Sequence, residues 1–186
     1  MKNLNRILAV IVLSISLFSC KNSKNEVENT EKVENTISKD PNLEKLESES
    51  SRLRAGGSVK NVELNDGKAV ISYVKDFAEY KELNPQSGLT ENDFEAYWES
   101  GNAIEKALID GTVKIMVKLD YINAVKIILP YKSKTYSIDL NKNDLEKFTG
   151  SDFNKLKGDL ENNFTKLYVY NDKGRNEFFK KFGKIE

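Results

Sequence analysis

The stretch Val59-Lys-Asn-Val-Glu-Leu-Asn-Asp-Gly-Lys-Ala-Val-Ile-Ser-Tyr-Val74 sets the character of the folded part of this chain. Two apolar runs, Val59–Leu64 and Ala69–Val74, flank Asn65-Asp66-Gly67. Asp-Gly between such runs is a strong hairpin signal, because glycine accepts the positive φ that a tight two-residue turn requires. The chain therefore enters its domain through a pair of antiparallel strands.

Toward the C-terminus a loop with Pro85 and Gly88 comes next, and then a helix from Thr90. Thr90 and Asp93 have the spacing of a capping box. Phe94, Tyr97, Trp98, Gly101, Ile104 and Leu108 recur at helical spacing and predict one buried face. Gly101, costly by about 1 kcal/mol inside a helix, is read as a point of close packing, and Asp110-Gly111 as the helix end. Val113, Ile115, Val117, Leu119 and Tyr121 then alternate with Lys114, Met116, Lys118 and Asp120, which predicts a strand. Two more strands are expected, one with Val125, Ile127 and Leu129 and one with Tyr136, Ile138 and Leu140, joined by a turn around Lys132-Ser133-Lys134. Asn141 or Asn143 is placed to cap a short helix with Leu145 and Phe148. Phe153, Leu156 and Leu160 suggest another helix, Thr165–Tyr170 a last strand and Asn176–Phe182 a terminal helix. The expectation is an α+β domain over residues 57–186: an antiparallel or mixed sheet of five to six strands, with helices mainly on one face.

Toward the N-terminus, Asp40-Pro41 can open a short helix, with Asp as N-cap and Pro at the first helical position. It has few apolar residues (Leu43, Leu46, Leu53), and Gly56-Gly57 would stop it. Residues 21–39 are rich in Lys, Asn, Glu, Ser and Thr, and Val-Glu-Asn-Thr occurs at both 27–30 and 33–36. Such a segment buries too little apolar surface to offset the entropy of ordering. Residues 20–56 are accordingly read as a flexible tether.

The first residues have a different composition. Lys2 and Arg6 precede an apolar run, Ile7–Phe18, too short for the roughly 20 residues that cross a hydrocarbon core. A basic start and a short apolar stretch are the layout of a secretory signal peptide, here residues 1–19. The run ends in Leu17-Phe18-Ser19-Cys20, which resembles the lipobox of bacterial lipoproteins. The resemblance implies cleavage between Ser19 and Cys20, a diacylglycerol on the Cys20 thiol, and a protein lipid-anchored to a membrane of the cell envelope. Lys21 rather than Asp after the cysteine favours the outer membrane, by analogy with lipoprotein sorting. Cys20 is the only cysteine, so a disulfide would need a second chain. One acyl chain holds a protein only marginally, at about 0.8 kcal/mol per buried methylene, whereas two or three hold it firmly.

Composition narrows the chemistry. Lys and Arg number 29, as do Asp and Glu; without Lys2 and Arg6 the processed chain is slightly acidic. That gives no reason to expect nucleic acid, which favours basic domains. There is no histidine. Ser–His–Asp and Cys–His catalysis and His-ligated zinc or haem are thereby excluded. With Cys20 acylated no thiol remains, and no cofactor is expected.

Four clusters remain as candidate sites. Asp139, Asn141 and Asn143 match the opening of an EF-hand loop, but Asp144 and Gly150 stand where Gly and a bidentate Glu belong, so helix capping explains them better and no metal site is assigned. Glu91, Asp93, Glu95 and Glu99 share a helix; as a solvated, dipole-complementing face they carry no catalytic assignment. Tyr73, Phe77, Tyr80, Tyr97 and Trp98 either line a ligand groove or build the core, with Tyr80 and the 81–90 loop the exposed part. The basic and aromatic segment Arg175–Phe182 either lies on a membrane or docks on the sheet, and Phe178 and Phe182 on one face favour docking. The functional expectation is a lipid-anchored, non-enzymatic module that binds an envelope protein or component. The alternatives are a carboxylate-dependent hydrolase, which needs two buried carboxylates in one cleft, and a carrier of a small or lipidic ligand, which needs a closed apolar cavity between sheet and helix.

Overall fold

The turn at Asp66-Gly67 forms with both φ angles positive, at 47° and 77°, and joins β1 (Val59–Asn65) to β2 (Lys68–Tyr73). The computed structural model describes residues 40–186. The expected signal peptide, the cleavage pair Ser19 and Cys20 and the tether residues 21–39 lie outside the described residues.

β2 pairs in parallel with β3 (Ala124–Tyr131), which turns at Lys132-Ser133 into antiparallel β4 (Lys134–Asn141). A short β5 (Gly183–Ile185) completes a mixed sheet in the order β1-β2-β3-β4-β5. The pleat sends Ala69, Ile71, Tyr73, Val125, Ile127, Leu129, Ile138 and Leu140 into the core. The opposite face carries Lys68, Val70, Ser72, Lys126, Ser137 and Asp139, all at least partly exposed. The α+β class, the five-stranded mixed sheet and the packing on one face agree with the sequence reading. Several of its elements do not.

Residues 113–118 are not a strand. They complete a helix, α4 (Ala103–Lys118), that runs straight through Asp110-Gly111. Eleven of its 16 residues are buried, and a helix apolar nearly all round loses the amphipathic pattern by which helices are read. Its signature is the polar stripe Lys106, Asp110, Lys114 and Lys118, spaced every four residues. Gly111, not Gly101, is the close-packing glycine: a Cβ there would sit 2.9 Å from Ile127 Cδ1. Gly101 and Asn102, at φ 46° and 59°, instead break the chain between α3 (Glu91–Glu99) and α4.

Thr165–Tyr170 is likewise not a strand. The expected helix with Phe153 and Leu156 is α6 (Phe153–Gly158); beyond it Glu161–Val169 is π-helical, and the Tyr170 N–H donates to Thr165 O across five residues. That winding buries both Phe164 and Val169, five apart. The terminal helix α7 (Asp172–Phe182) starts earlier than expected, at an Asn171 cap, and leads into β5, which sequence reading missed. It also missed α2 (Phe77–Leu83), capped by Asp76.

Residues 40–56, read from the sequence as part of the tether, are folded. α1 (Pro41–Ser50) has the Asp40 cap and first-position proline that the sequence predicts, and it packs against β1 and α4. Leu46 is fully buried and Leu53 joins the same core, so the folded part reaches back to about residue 40 rather than 57.

Candidate functional site

The site begins with the capping box of α3. Thr90 Oγ1 accepts from the Asp93 N–H at 3.2 Å, and the Asp93 carboxylate accepts from the Thr90 hydroxyl at 2.6 Å and its N–H at 3.3 Å. These bonds, the hydroxyl's first, hold the Asp93 carboxyl below the usual range, so it is ionised at neutral pH. The helix then presents Phe94 and Trp98 inward, each 5 % exposed, while Tyr97 stays 40 % exposed.

Around these rings lies a continuous aromatic cluster. Trp98 meets Tyr73 and Tyr97 edge-on at centroid distances of 5.8 and 4.9 Å, and Phe94 packs on Tyr80 at 5.6 Å and Phe77 at 6.0 Å. Such edge-to-face pairs fix ring orientation. Phe94 and Trp98 floor an apolar groove of about 310 Å³. Tyr80, Leu89, Asp93, Tyr97, Ala55, Gly57 and Ser58 form its walls.

The walls are tied in place. Tyr73 OH donates to Arg54 O at 2.9 Å, which anchors the 54–58 segment. Asn84 Nδ2 donates to Gly57 O at 2.8 Å and to Tyr80 O at 3.0 Å, so these two wall residues are tied together. Tyr80 OH pairs with Ser87 Oγ at 2.9 Å, and Lys81 Nζ donates to Ser87 O at 2.7 Å. Beyond Tyr97, Arg54 Nε donates to Asp110 at 3.1 Å and its Nη2 to Tyr170 OH at 2.6 Å. Burial raises the Tyr97 phenol despite that guanidinium, and burial raises the Tyr73 phenol more strongly.

The aromatic residues singled out in the sequence are thus both core and groove. Tyr73 and Phe77 support, Trp98 is floor, and Tyr80 and Tyr97 are wall. Ala55, Gly57 and Ser58 escaped sequence reading, and Leu89 entered it only as part of the 81–90 loop. Leu89 alone had a signal, because it stands just before the Thr90 cap, at the staple position whose partner is the floor residue Phe94, five residues on.

The other candidates fall elsewhere. Asp139 pairs with Lys68 at 2.7 Å, and Asn141 Oδ1 accepts from the Asp144 N–H at 2.9 Å to cap α5 (Lys142–Thr149). Among the described residues no group of three or more Cys, Asp or Glu side chains is placed to hold a metal ion. Glu99 pairs with Lys132, which holds its carboxyl low, the wrong direction for a general acid. Glu91 and Glu95 line a wider cleft of about 520 Å³ with Lys75, Lys132 and Lys134. That cleft is larger and also takes in the rings of Phe77, Phe94 and Tyr131, but half of its twelve lining residues are charged, against one of nine in the groove. The buried carboxylate is Asp110, neutralised by Arg54 and by Lys114 at 2.8 Å. In α7, Phe178 and Arg175 turn inward, and Arg175 bonds Glu105, Asp172 and Val169 O, so the segment docks on the domain. No protein-family model, no curated protein and no solved structure matches this chain.

Proposed function

We propose that the chain is a non-enzymatic, lipid-anchored binding module of the cell envelope, and that it holds a protein partner in the groove of Tyr80, Leu89, Tyr97 and Trp98. The observation that carries the reading is the pre-built groove. Its rings are locked by neighbours and its wall residues Gly57 and Tyr80 are tied together by Asn84, so little ordering entropy is lost on binding. Exposed Tyr beside buried Trp is also the composition of interface anchors. The sequence Leu17-Phe18-Ser19-Cys20 supports the anchor, and Lys21 favours the outer membrane.

The two alternatives have less to stand on. The α3 carboxylates do not converge as a buried pair, and the one carboxylate buried among the described residues, Asp110, is held by two cations. Between α4 and the sheet, Gly111 lies against Ile127 so closely that not even a methyl group fits freely.

The test compares wild type, Cys20→Ala and Tyr97→Ala in cells, by acyl labelling, membrane fractionation and crosslinking. Wild type is expected to be acylated and to yield a crosslinked partner. Cys20→Ala loses acyl group and partner together. Tyr97→Ala stays acylated and membrane-bound but loses the partner, as a hot-spot truncation of about 2 kcal/mol or more would. An unacylated wild type, or a partner indifferent to Tyr97, contradicts the proposal.

A further inference from the structure

Resting on the groove as the binding site, we infer that its occupant is an extended peptide segment that presents a Lys or Arg side chain next to an apolar one. The groove's floor and most of its walls are apolar, and the one charged side chain among its lining residues is Asp93. Thr90 keeps that carboxylate ionised. The surrounding segment, residues 76–99, holds Asp76, Glu79, Glu82, Glu91, Asp93, Glu95 and Glu99 against a single cation, Lys81. Lys81 is tied to the Pro85 and Ser87 carbonyls. Lys60 neutralises Glu79 and Lys132 neutralises Glu99. Among the described residues, Glu82, Glu91 and Glu95 form no ion pair, although Glu91 and Glu95 face the neighbouring cleft with Lys75, Lys132 and Lys134. On the far side of Tyr97 the nearest cation, Arg54, is engaged by Asp110 and Tyr170.

The one charge in the groove is therefore an ionised carboxylate beside an aromatic floor. A basic side chain satisfies both parts: its methylenes lie on the rings while its charged end reaches Asp93 and the faces of Tyr80 or Tyr97. A volume of about 310 Å³ accepts one or two side chains of an extended segment, at the small end of ligand pockets. An acidic or strongly anionic ligand meets repulsion at the same place.

The experiment pans a displayed random dodecapeptide library against the full chain in detergent, in parallel with Leu89→Ser and Asp93→Asn. Binding of the enriched peptides is then followed by the emission of Trp98, the only tryptophan. Leu89 is 38 % exposed, and circular dichroism verifies that its replacement leaves the fold intact. The expected result is enrichment of peptides with Lys or Arg beside an apolar residue. Their affinity should fall tenfold or more in Leu89→Ser and several-fold in Asp93→Asn, with the latter effect fading at high salt. Groove-dependent peptides that are neutral or acidic would overturn the inference and leave the groove itself standing. No groove-dependent enrichment would overturn it as well, and partner crosslinking at Tyr97 then judges the groove separately.

Discussion

The dipeptide Asp-Gly occurs twice in this domain with opposite outcomes. Asp66-Gly67 turns the chain between β1 and β2 with both φ angles positive, while Asp110-Gly111 passes through the middle of α4 without a break. The first pair is governed by its immediate neighbours, two apolar runs whose alternation places one face on the core. The second is governed by distant residues. Asp110 is held by Arg54 from 56 positions away and Gly111 is pressed against Ile127. A turn signal is a local preference of a few kcal/mol at most, and tertiary packing of a buried helix exceeds it.

That contrast can be broken most forcefully in α4. Leu108 is fully buried, and Leu108→Ala should destabilise the domain by about 2–5 kcal/mol in denaturant melts. A loss below about 1 kcal/mol would mean that α4 is not the centre of the core.

The local turn is tested by Gly67→Ala. At φ 77°, with a Cβ 3.1 Å from Tyr121 O, alanine should cost about 1–2 kcal/mol. An unchanged melting temperature would remove the proposed difference between the two dipeptides.

Gly111→Ala is subtler, because two effects oppose. The methyl group strikes Ile127 Cδ1 at 2.9 Å, which costs about 1–3 kcal/mol as overpacking. Better helix propensity returns up to about 1 kcal/mol. The net expectation is a loss of about 1 kcal/mol, largely recovered when Ile127→Val removes the struck methyl. Stabilisation by Gly111→Ala alone would contradict the close contact.

The smallest effect is at the α3 cap. The Asp93 carboxyl titrates lower in the folded chain than its ordinary 3.8 because Thr90 hydrogen-bonds its charged form. A depressed pKa contributes stability that is whole above the ordinary value and is lost as pH falls through the folded one. Amide protection factors in the first turn of α3 should therefore fall below about pH 4 in wild type. In Thr90→Val they should be low already at pH 6, with less dependence on pH.

What was legible in the sequence was local chemistry. Asp66-Gly67, Thr90 with Asp93, Asn141 and Asp40-Pro41 each specify a turn or cap from within a few residues, and each is found in place. What was not legible depended on burial. Val113, Ile115 and Val117 alternate as in a strand, yet the four-residue stripe of Lys106, Asp110, Lys114 and Lys118 was the truer period. Leu46 was too isolated in a polar segment to announce a helix docked on the core. The groove was half visible. Its aromatic residues stood out, but whether they were core or surface turned on Ala55, Gly57 and Ser58, which reach the site through the fold rather than through sequence proximity.

The most direct test of the central claim is photocrosslinking in cells from a benzoylphenylalanine at position 97, in the groove wall, against one at position 126, on the open face of the sheet. The account predicts a discrete covalent adduct with an envelope protein from position 97 and none from position 126. Adducts from position 126 alone, or none from position 97 in chains confirmed to be acylated, would contradict it.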